Sequence, residues 1–512
     1  MLGFVIGVLS LCLTFAFFPY GYNCFYLLLA SLRYKSSTPA LAAKPTVVLQ
    51  LPIYNERYVV SRLVDGCIET AKHYGRELAS IQLLDDSTDE TSTIIDKLCD
   101  KYQAEGYLIS VLRRRGRDGY KAGALQNGLN HTKADYVAIF DCDFLPTETF
   151  LEEVVPHMGD STVGMVQARW THINEGYNTL TRAISLGIDG HFFVEQPGRD
   201  AAGCLLNFNG SGGIIRREAL EKAGGWSPET LAEDLDLSYR LQLSGYRILY
   251  LRDTIVPCEV PSTMPAFKRQ QSRWARGSIH TARKIIPKLV NSNLPLKQKI
   301  QGLVHLTYYF VHPLMLASFI LCVVGALFQV KTIGLPVPTL GDHPLELLNL
   351  GNLLTLFVTE LKMFPLPWLL LYVGAFFCSL ATLALYSSVL LRRRLGLRER
   401  LWTLLTLTLI GFGISLSNSV SVMKGLFARG SGEFKRTPKY AIERKADAWK
   451  GKRYQIPLYR ESLLEATAVI VGVLTLIVAI RTGNWGIVPI LGWFTLSYAV
   501  VGFTTFAQSA KT

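Results

Sequence analysis

Three short apolar runs in this chain each stop at acidic residues. Thr46-Val-Val-Leu-Gln-Leu51 leads into Pro52-Ile-Tyr-Asn-Glu56, and Ser80-Ile-Gln-Leu-Leu84 into Asp85-Asp-Ser-Thr-Asp89. Tyr136-Val-Ala-Ile-Phe140 leads into Asp141-Cys-Asp143. If the runs are neighbouring strands, their carboxylates share one crevice. Such crowding is unfavourable unless a cation or hydrogen-bond donors compensate. Mg²⁺ or Mn²⁺ would do so, since these ions bind through few carboxylates and complete their shell with substrate phosphates. Asp141 and Asp143 form the candidate metal pair. Lys121, among the small residues of Gly119-Tyr-Lys-Ala-Gly-Ala124, could approach a pyrophosphate or could be a surface lysine on a turn. Glu233 and Asp234 open a helical stretch, Leu235–Leu243, where they could act on a substrate or simply complement the helix dipole. Arg273-Trp274, with Arg276 nearby, reads as a stacking platform with an anion partner or as an interfacial aromatic belt.

The elements that must position these residues alternate. Helical stretches at Tyr58–His73 and Asp89–Glu105 lie between the apolar runs, which argues for βαβ units and a mostly parallel sheet. In such sheets ligands bind beyond the carboxyl ends of the strands, where the acidic residues fall.

The rest of the chain belongs to a membrane. Of 512 residues 49% are hydrophobic and 18% charged, against about 25% charged in soluble domains. The mean hydropathy is +0.23. Residues Met1–Leu32 carry no charge, and without a basic start they read as a retained spanning helix, bent near Pro19, rather than a secretory signal. Its basic flank (Arg33, Lys35, Lys44) follows it, which places the N-terminus outside and the next domain in the cytosol. Further candidate spans are Ile300–Val330, Pro365–Leu391, Leu401–Leu426, Leu463–Ile480 and Trp485–Phe506. The basic loop 392–400 and the segment 428–461, with ten Lys/Arg, both read as cytosolic, so Leu401–Leu426, rich in Ser and Asn in its second half, is expected to be re-entrant or interfacial. Lys268–Lys299 holds nine Lys/Arg and no acidic residue, as expected of a basic helix lying on an anionic leaflet. This accounts for much of the +13 net charge without nucleic acid. The nine cysteines form no CxxC or Cys/His cluster, which supports neither zinc nor disulfides.

Taken together, LPIYNER, QLLDDSTDET, GYKAGAL, AIFDCDF, GMVQARW, FNGSGG, AGGW, AEDLDL and QQSRW resemble glycosyltransferase family 2, in its cellulose synthase-like branch that makes β-linked mannans and glucans. The likeness runs from Val47 to about Ile286. It implies an α/β GT-A nucleotide-sugar-binding domain, a mostly parallel mixed sheet, inserted between transmembrane α-helices. The implied boundaries are a membrane helix at 1–32, a cytosolic catalytic domain at 45–289, and a membrane region at 300–512 with a cytosolic loop at 428–461. The membrane would be a bacterial inner or plasma membrane, or the Golgi. On the donor side the resemblance places Tyr54 and Glu56 at the base, with Asp85 and Asp86 alongside. Asp141, Lys121 and Arg273 would meet the diphosphate, and Asp141 and Asp143 the metal. Asp234, beside Glu233, would be the general base of an inverting displacement. Asn209, Gly210, Gln270, Gln271 and Trp274 would face the acceptor. Phe434-Lys-Arg-Thr-Pro-Lys439 resembles the family's gating loop, with Phe434, Thr437 and Lys439 kept and Arg436 where valine is usual.

The implied partners are a UDP- or GDP-hexose, a glycan or lipid acceptor and membrane lipids. The favoured product is a β-1,4-mannan or glucan made processively and passed through the membrane. The rival is a single sugar moved onto ceramide, diacylglycerol or a polyprenyl phosphate. A transporter or nucleotide sensor is disfavoured, because no GxxxxGK[ST] loop is present.

Overall fold

The computed structural model describes residues 2–37, 39, 44–329, 380–393, 395–428, 430, 432, 434–458, 461–484 and 487–509. Its centre is one seven-stranded sheet: β1 (Val47–Ile53), β2 (Ala79–Asp85), β3 (Ile109–Arg113), β4 (Tyr136–Ile139), β5 (Val163–His172), β6 (Gly213–Arg216) and β7 (Arg247–Cys258). The order is β3-β2-β1-β4-β6-β5-β7. β6 runs antiparallel to both neighbours, while β1–β2, β2–β3, β1–β4 and β5–β7 are parallel. This is the mixed, mostly parallel sheet expected.

Strand β1 shows why these residues take this place. A strand covered on both faces needs apolar side chains throughout, and VVLQLPI supplies them. Val47, Leu49, Leu51 and Ile53 enter one core and Val48 the other, as the two-residue repeat of a strand requires. The Val60–Tyr74 helix closes the first core through Leu63, Val64, Cys67, Ile68, Ala71 and Tyr74, which recur at helical spacing. Each fully buried Leu or Val there contributes about 1.5–3 kcal/mol.

From β1 the chain crosses to β2 and β3 on one side, then returns to β4 on the other. The carboxyl ends of β2, β1 and β4 therefore lie side by side at a switch point, the usual ligand crevice of such sheets.

Around this domain lie helices of another character. Val5–Ser31, Tyr308–Leu327, Ser462–Arg481 and Val488–Gln508 are each long and apolar enough to cross a membrane. Pro19 lies inside the first helix, which runs Leu2–Ser31. The span expected from Ile300 starts later. Leu296–Leu306 is a separate helix held on the catalytic domain, where Lys297 donates to the Ala202 carbonyl at 2.5 Å and Gln298 to that of Gly203 at 2.8 Å. Most of the expected Pro365–Leu391 span lies outside the described residues, which hold only its end, Leu380–Arg392.

Leu401–Leu426 corresponds to two helices, Leu397–Gly413 and Ser415–Leu426, bent by 47°. Its polar half is buried, with Ser415, Ser417, Asn418, Ser419 and Ser421 inside the protein. Both of its flanks touch the catalytic domain. Arg393 binds Glu175 at 2.5 Å and also Asp189, and beyond the other end Arg436 binds Glu56 at 2.6 Å.

The basic stretch Lys268–Lys299 corrects an expectation. Much of its charge is used inside the molecule rather than on a leaflet, because the long Met264–Val290 helix packs between protein elements. Lys268 pairs with Glu465 at 2.5 Å, and Lys284 with Glu229 at 2.5 Å and Asp236 at 2.9 Å. Arg283 donates to the Ala428 carbonyl at 2.7 Å. No disulfide joins the cysteines of the described residues.

Candidate active site

Lys121 is the hub of the crevice. It sits in the first turn of the Tyr120–Asn130 helix and reaches Asp141 Oδ1 at 2.7 Å, the Gly210 carbonyl at 2.8 Å and Glu233 Oε1 at 3.4 Å. Asp141 follows β4, and its backbone N–H donates to Ser211 Oγ at 3.0 Å. Burial pushes the Asp141 carboxyl up, opposed by Lys121. Lys121 thus faces two carboxylates, Asp141 and Glu233, while Glu233 and Asp234 also stand in the first turn of the Glu233–Leu243 helix.

Asp234 lies against Gly210, where a Cβ would stand 2.8 Å from Asp234 Oδ2 and 3.3 Å from Lys121 Nζ. With φ at +86°, the position suits glycine on two counts. The Asp234 carboxyl accepts the Leu235 N–H at 2.8 Å. Burial first, and then the Glu233 charge, push it up to about 7, against Lys121 and Arg273.

Other residues divide by what already holds them. Asp86 is gripped by Arg114, with Nε to Oδ1 at 3.0 Å and a second, shorter bond. Arg117 stacks 3.2 Å from the centre of the Tyr54 ring, so Tyr54 and Asp86 share one arginine-lined pocket wall. Asp85 is committed elsewhere: it accepts from the Ser87 N–H, Ser92 Oγ and Arg113 Nε at 2.8–2.9 Å. The motifs passed over Arg114, Arg117 and Glu259. The arginine run 113–117 directly after a strand was the available signal for the first two; Glu259 had none.

The 434–458 segment is docked over the crevice. Phe434 stacks on Tyr120 (ring centres 5.9 Å apart), with the Arg273 guanidinium 4.6 Å from its ring. Arg436, the departure from the family pattern, pairs with Glu56, whose carboxyl burial raises to about 7 against that charge. Lys439 binds Asp143 Oδ2 at 2.5 Å and the Glu259 carbonyl at 2.7 Å. Thr437 is buried, and its hydroxyl lacks a hydrogen-bond partner.

On the opposite side, Gln271 Oε1 accepts from Tyr309 at 3.4 Å. Gln270 Oε1 is buried without a partner, and Trp274 is partly exposed one residue after Arg273. A buried polar atom left without a partner is one that a ligand, an ion or an ordered water can satisfy.

Whether the site fits a divalent cation depends on Asp141 and Asp143. Both offer hard oxygen donors, as Mg²⁺ and Mn²⁺ require, and both already face an ammonium. Among the described residues no group of three or more His, Cys, Asp or Glu is gathered for a metal. A cation here would therefore need phosphate oxygens to complete its shell.

A model described as glycosyl transferase family group 2 matches residues 136–416, more than half of the chain. Glucomannan 4-beta-mannosyltransferase 7 of Arabidopsis thaliana is 37% identical over 264 residues, 50% of this chain and 47% of that protein. Probable glucomannan 4-beta-mannosyltransferase 9 of rice (Oryza sativa subsp. japonica) is 38% identical over 267 residues, 51% of this chain and 50% of that protein. The chain spans about half the length of the curated relatives it matches. Among solved structures, the mannosyltransferase PcManGT of Pyrobaculum calidifontis, in complex with GDP-Man and Mn²⁺, superposes with TM-score 0.50 at 19% identity. The match covers 82% of this chain and 99% of that one and places the fold in the GT-A class.

Proposed function

Because the chain belongs to glycosyl transferase family group 2, we propose that it is a hexosyltransferase that builds a β-1,4-linked mannan from GDP-mannose and passes it into the membrane helices. The observation that carries this reading is Asp234. It is a half-buried carboxyl raised to about 7, set against Gly210 beside Lys121, which in turn binds Asp141. A base works best when its pKa lies near the working pH. The names of the plant relatives favour mannose and a β-1,4 linkage.

In the proposed inverting reaction Asp234 takes the proton of an acceptor hydroxyl. That oxygen forms the new bond to the anomeric carbon, while the bond to the nucleoside diphosphate breaks and the diphosphate leaves with the electron pair. Lys121 and Arg273 stabilise that charge as it develops. Asp141 and Asp143 would hold a divalent cation, which when bound adds Lewis-acid stabilisation of the leaving diphosphate. Tyr54, Arg117, Asp86 and Arg114 form the nucleotide wall. Gln270, Gln271 and Trp274 present the acceptor on the membrane side, with Asn209 opposite. The 434–458 segment covers the donor, and Thr437 offers it an unused hydroxyl.

The catalytic domain is placed in the cytosol and the N-terminus outside, on the basic flank after the first helix. Both flanks of the 397–426 helix pair are tied to the catalytic domain, so the pair is read as re-entrant, with both basic loops on the cytosolic side.

The test is transfer by purified protein from labelled GDP-mannose, UDP-glucose and other nucleotide hexoses with Mn²⁺ or Mg²⁺, followed by sizing and digestion with β-1,4-mannanase. A mannanase-sensitive ladder supports the reading, and a single glycolipid overturns the polymer. The anomeric configuration of the product by NMR tests inversion.

A further inference from the structure

Asn209 precedes the glycine that abuts Asp234, and its side chain ends a chain of hydrogen bonds that no motif announced. Gln196 Nε2 donates to Asn209 Oδ1 at 2.9 Å. Asn209 Nδ2 then meets His191 Nε2 at 3.1 Å, and His191 Nδ1 meets Glu195 Oε2 at 2.8 Å. His191 Nε2 also lies 3.4 Å from Asn209 Oδ1, and the arrangement that uses the shorter contact is as follows. The Asn209 amide donates to an imidazole whose proton is on Nδ1, and Nδ1–H donates to the carboxylate. The Asn209 backbone N–H is fixed as well, donating to Gln167 Oε1 at 2.9 Å.

His191–Glu195 is a single π-wound turn between the Thr179–Gly190 and Gln196–Ala201 helices, a rare winding that recurs at functional sites. His191 and Glu195 are part-buried, with 21% and 24% of their side-chain surface exposed. Burial pushes the Glu195 carboxyl up, but the hydrogen bond from His191 outweighs it, and the group sits below its usual range. A Cβ at Gly190, just before the turn, would meet Tyr386 and Leu385 of the Leu380–Arg392 helix, and one at Gly198, just after it, would meet Leu27 of the first helix. The relay thus stands between the reacting centre and the membrane helices.

We infer that His191, backed by Glu195, is a positioning residue that holds the Asn209 carboxamide so that its second N–H points to a hydroxyl oxygen of the acceptor sugar. Of the four polar valences of that carboxamide, Gln196 and His191 take one each. Asn209 itself is partly exposed. An orienting relay gives specificity, because an acceptor lacking that oxygen would leave the fixed N–H unpaired, which costs far more than a lost contact on a mobile side chain. The inference rests on the proposed transfer to a glycan.

The experiment uses the full chain in lipid nanodiscs with GDP-mannose, Mn²⁺ and β-1,4-mannohexaose, varying donor and acceptor separately. His191→Leu removes both hydrogen bonds and should raise the acceptor KM at least tenfold, with the donor KM within twofold of wild type. His191→Gln keeps one donor and one acceptor and should recover most of that loss. Glu195→Gln, a milder change that preserves shape, should move the acceptor KM in the same direction by about threefold. Equal effects on both KM values, no effect, or a His191→Gln variant as impaired as His191→Leu would overturn the inference. If wild type uses no nucleotide hexose, the proposed function fails instead. The subsite is then decided by mannohexaose binding, followed by tryptophan fluorescence: loss of binding in His191→Leu supports it, and retention overturns it.

Discussion

At the scale of single residues, Asp234 has two separable consequences. Asp234→Asn keeps the shape and the Leu235 N–H contact but cannot take a proton. Transfer should fall by about 10³-fold or more, in the range of general-base catalysis, while GDP-mannose binding by calorimetry stays near wild type. The pH dependence follows from the raised carboxyl. Below about 7 Asp234 is protonated and inactive as a base, so kcat/KM should fall about tenfold per pH unit on the acid side and level off above it. A flat profile from pH 5 to 8 would remove Asp234 from the role. Much of this centre was readable before any coordinates, because Asp141, Asp143 and Asp234 sit where apolar runs stop and a helix starts. Commitments between side chains were not readable. Asp85 and Asp86 are adjacent in sequence, yet Arg113 takes one and Arg114 the other. The four-residue spacing of His191 and Glu195 was visible, but only Asn209, 18 residues later, gives it meaning.

At the scale of elements, the three strands read from the sequence and the helices between them fall within two residues of their expectations, because apolar runs of strand length between helical stretches leave few alternatives; β3, β5, β6 and β7 carried no such reading. The errors lie where a helix meets the membrane. Apolar content alone cannot separate Leu296–Leu306 from the span after it; the contacts of Lys297 and Gln298 do. The bent pair at 397–426 gives a direct test. Arg398→Cys, in the exposed first turn of the Leu397–Gly413 helix, and Lys445→Cys, exposed in the 434–458 segment, should both react with a membrane-impermeant maleimide from the same side of sealed vesicles. Labelling from opposite sides would make the pair a true span. The docked 434–458 segment makes another prediction. Lys439 stands 2.5 Å from Asp143 and would compete with a cation there. Without nucleotide, Lys439→Ala should bind Mn²⁺ about three- to tenfold more tightly by EPR titration, on the order of 1 kcal/mol. Unchanged affinity would mean that the loop does not contest the site.

At the scale of the molecule, the catalytic domain is tied to its membrane helices by side chains as well as by chain connectivity. Arg182 binds Glu399 at 2.7 Å, Arg393 bridges Glu175 and Asp189, and Lys268 reaches across to Glu465. The last pair is nearly closed off, with 9% and 0% of the two side chains exposed. Its Coulomb gain is set against the desolvation of two ions, so the pair adds little net stability, but removing one partner strands the other charge. Lys268→Met leaves Glu465 alone against an apolar helix and should cost about 3–5 kcal/mol. The thermal midpoint of the nanodisc-embedded protein should drop clearly. Lys268→Met combined with Glu465→Leu removes both charges and should recover most of that loss, because the penalty belongs to the uncompensated ion and not to the missing bond. A double variant as unstable as the single one would show instead that packing of the lysine stem joins the two parts.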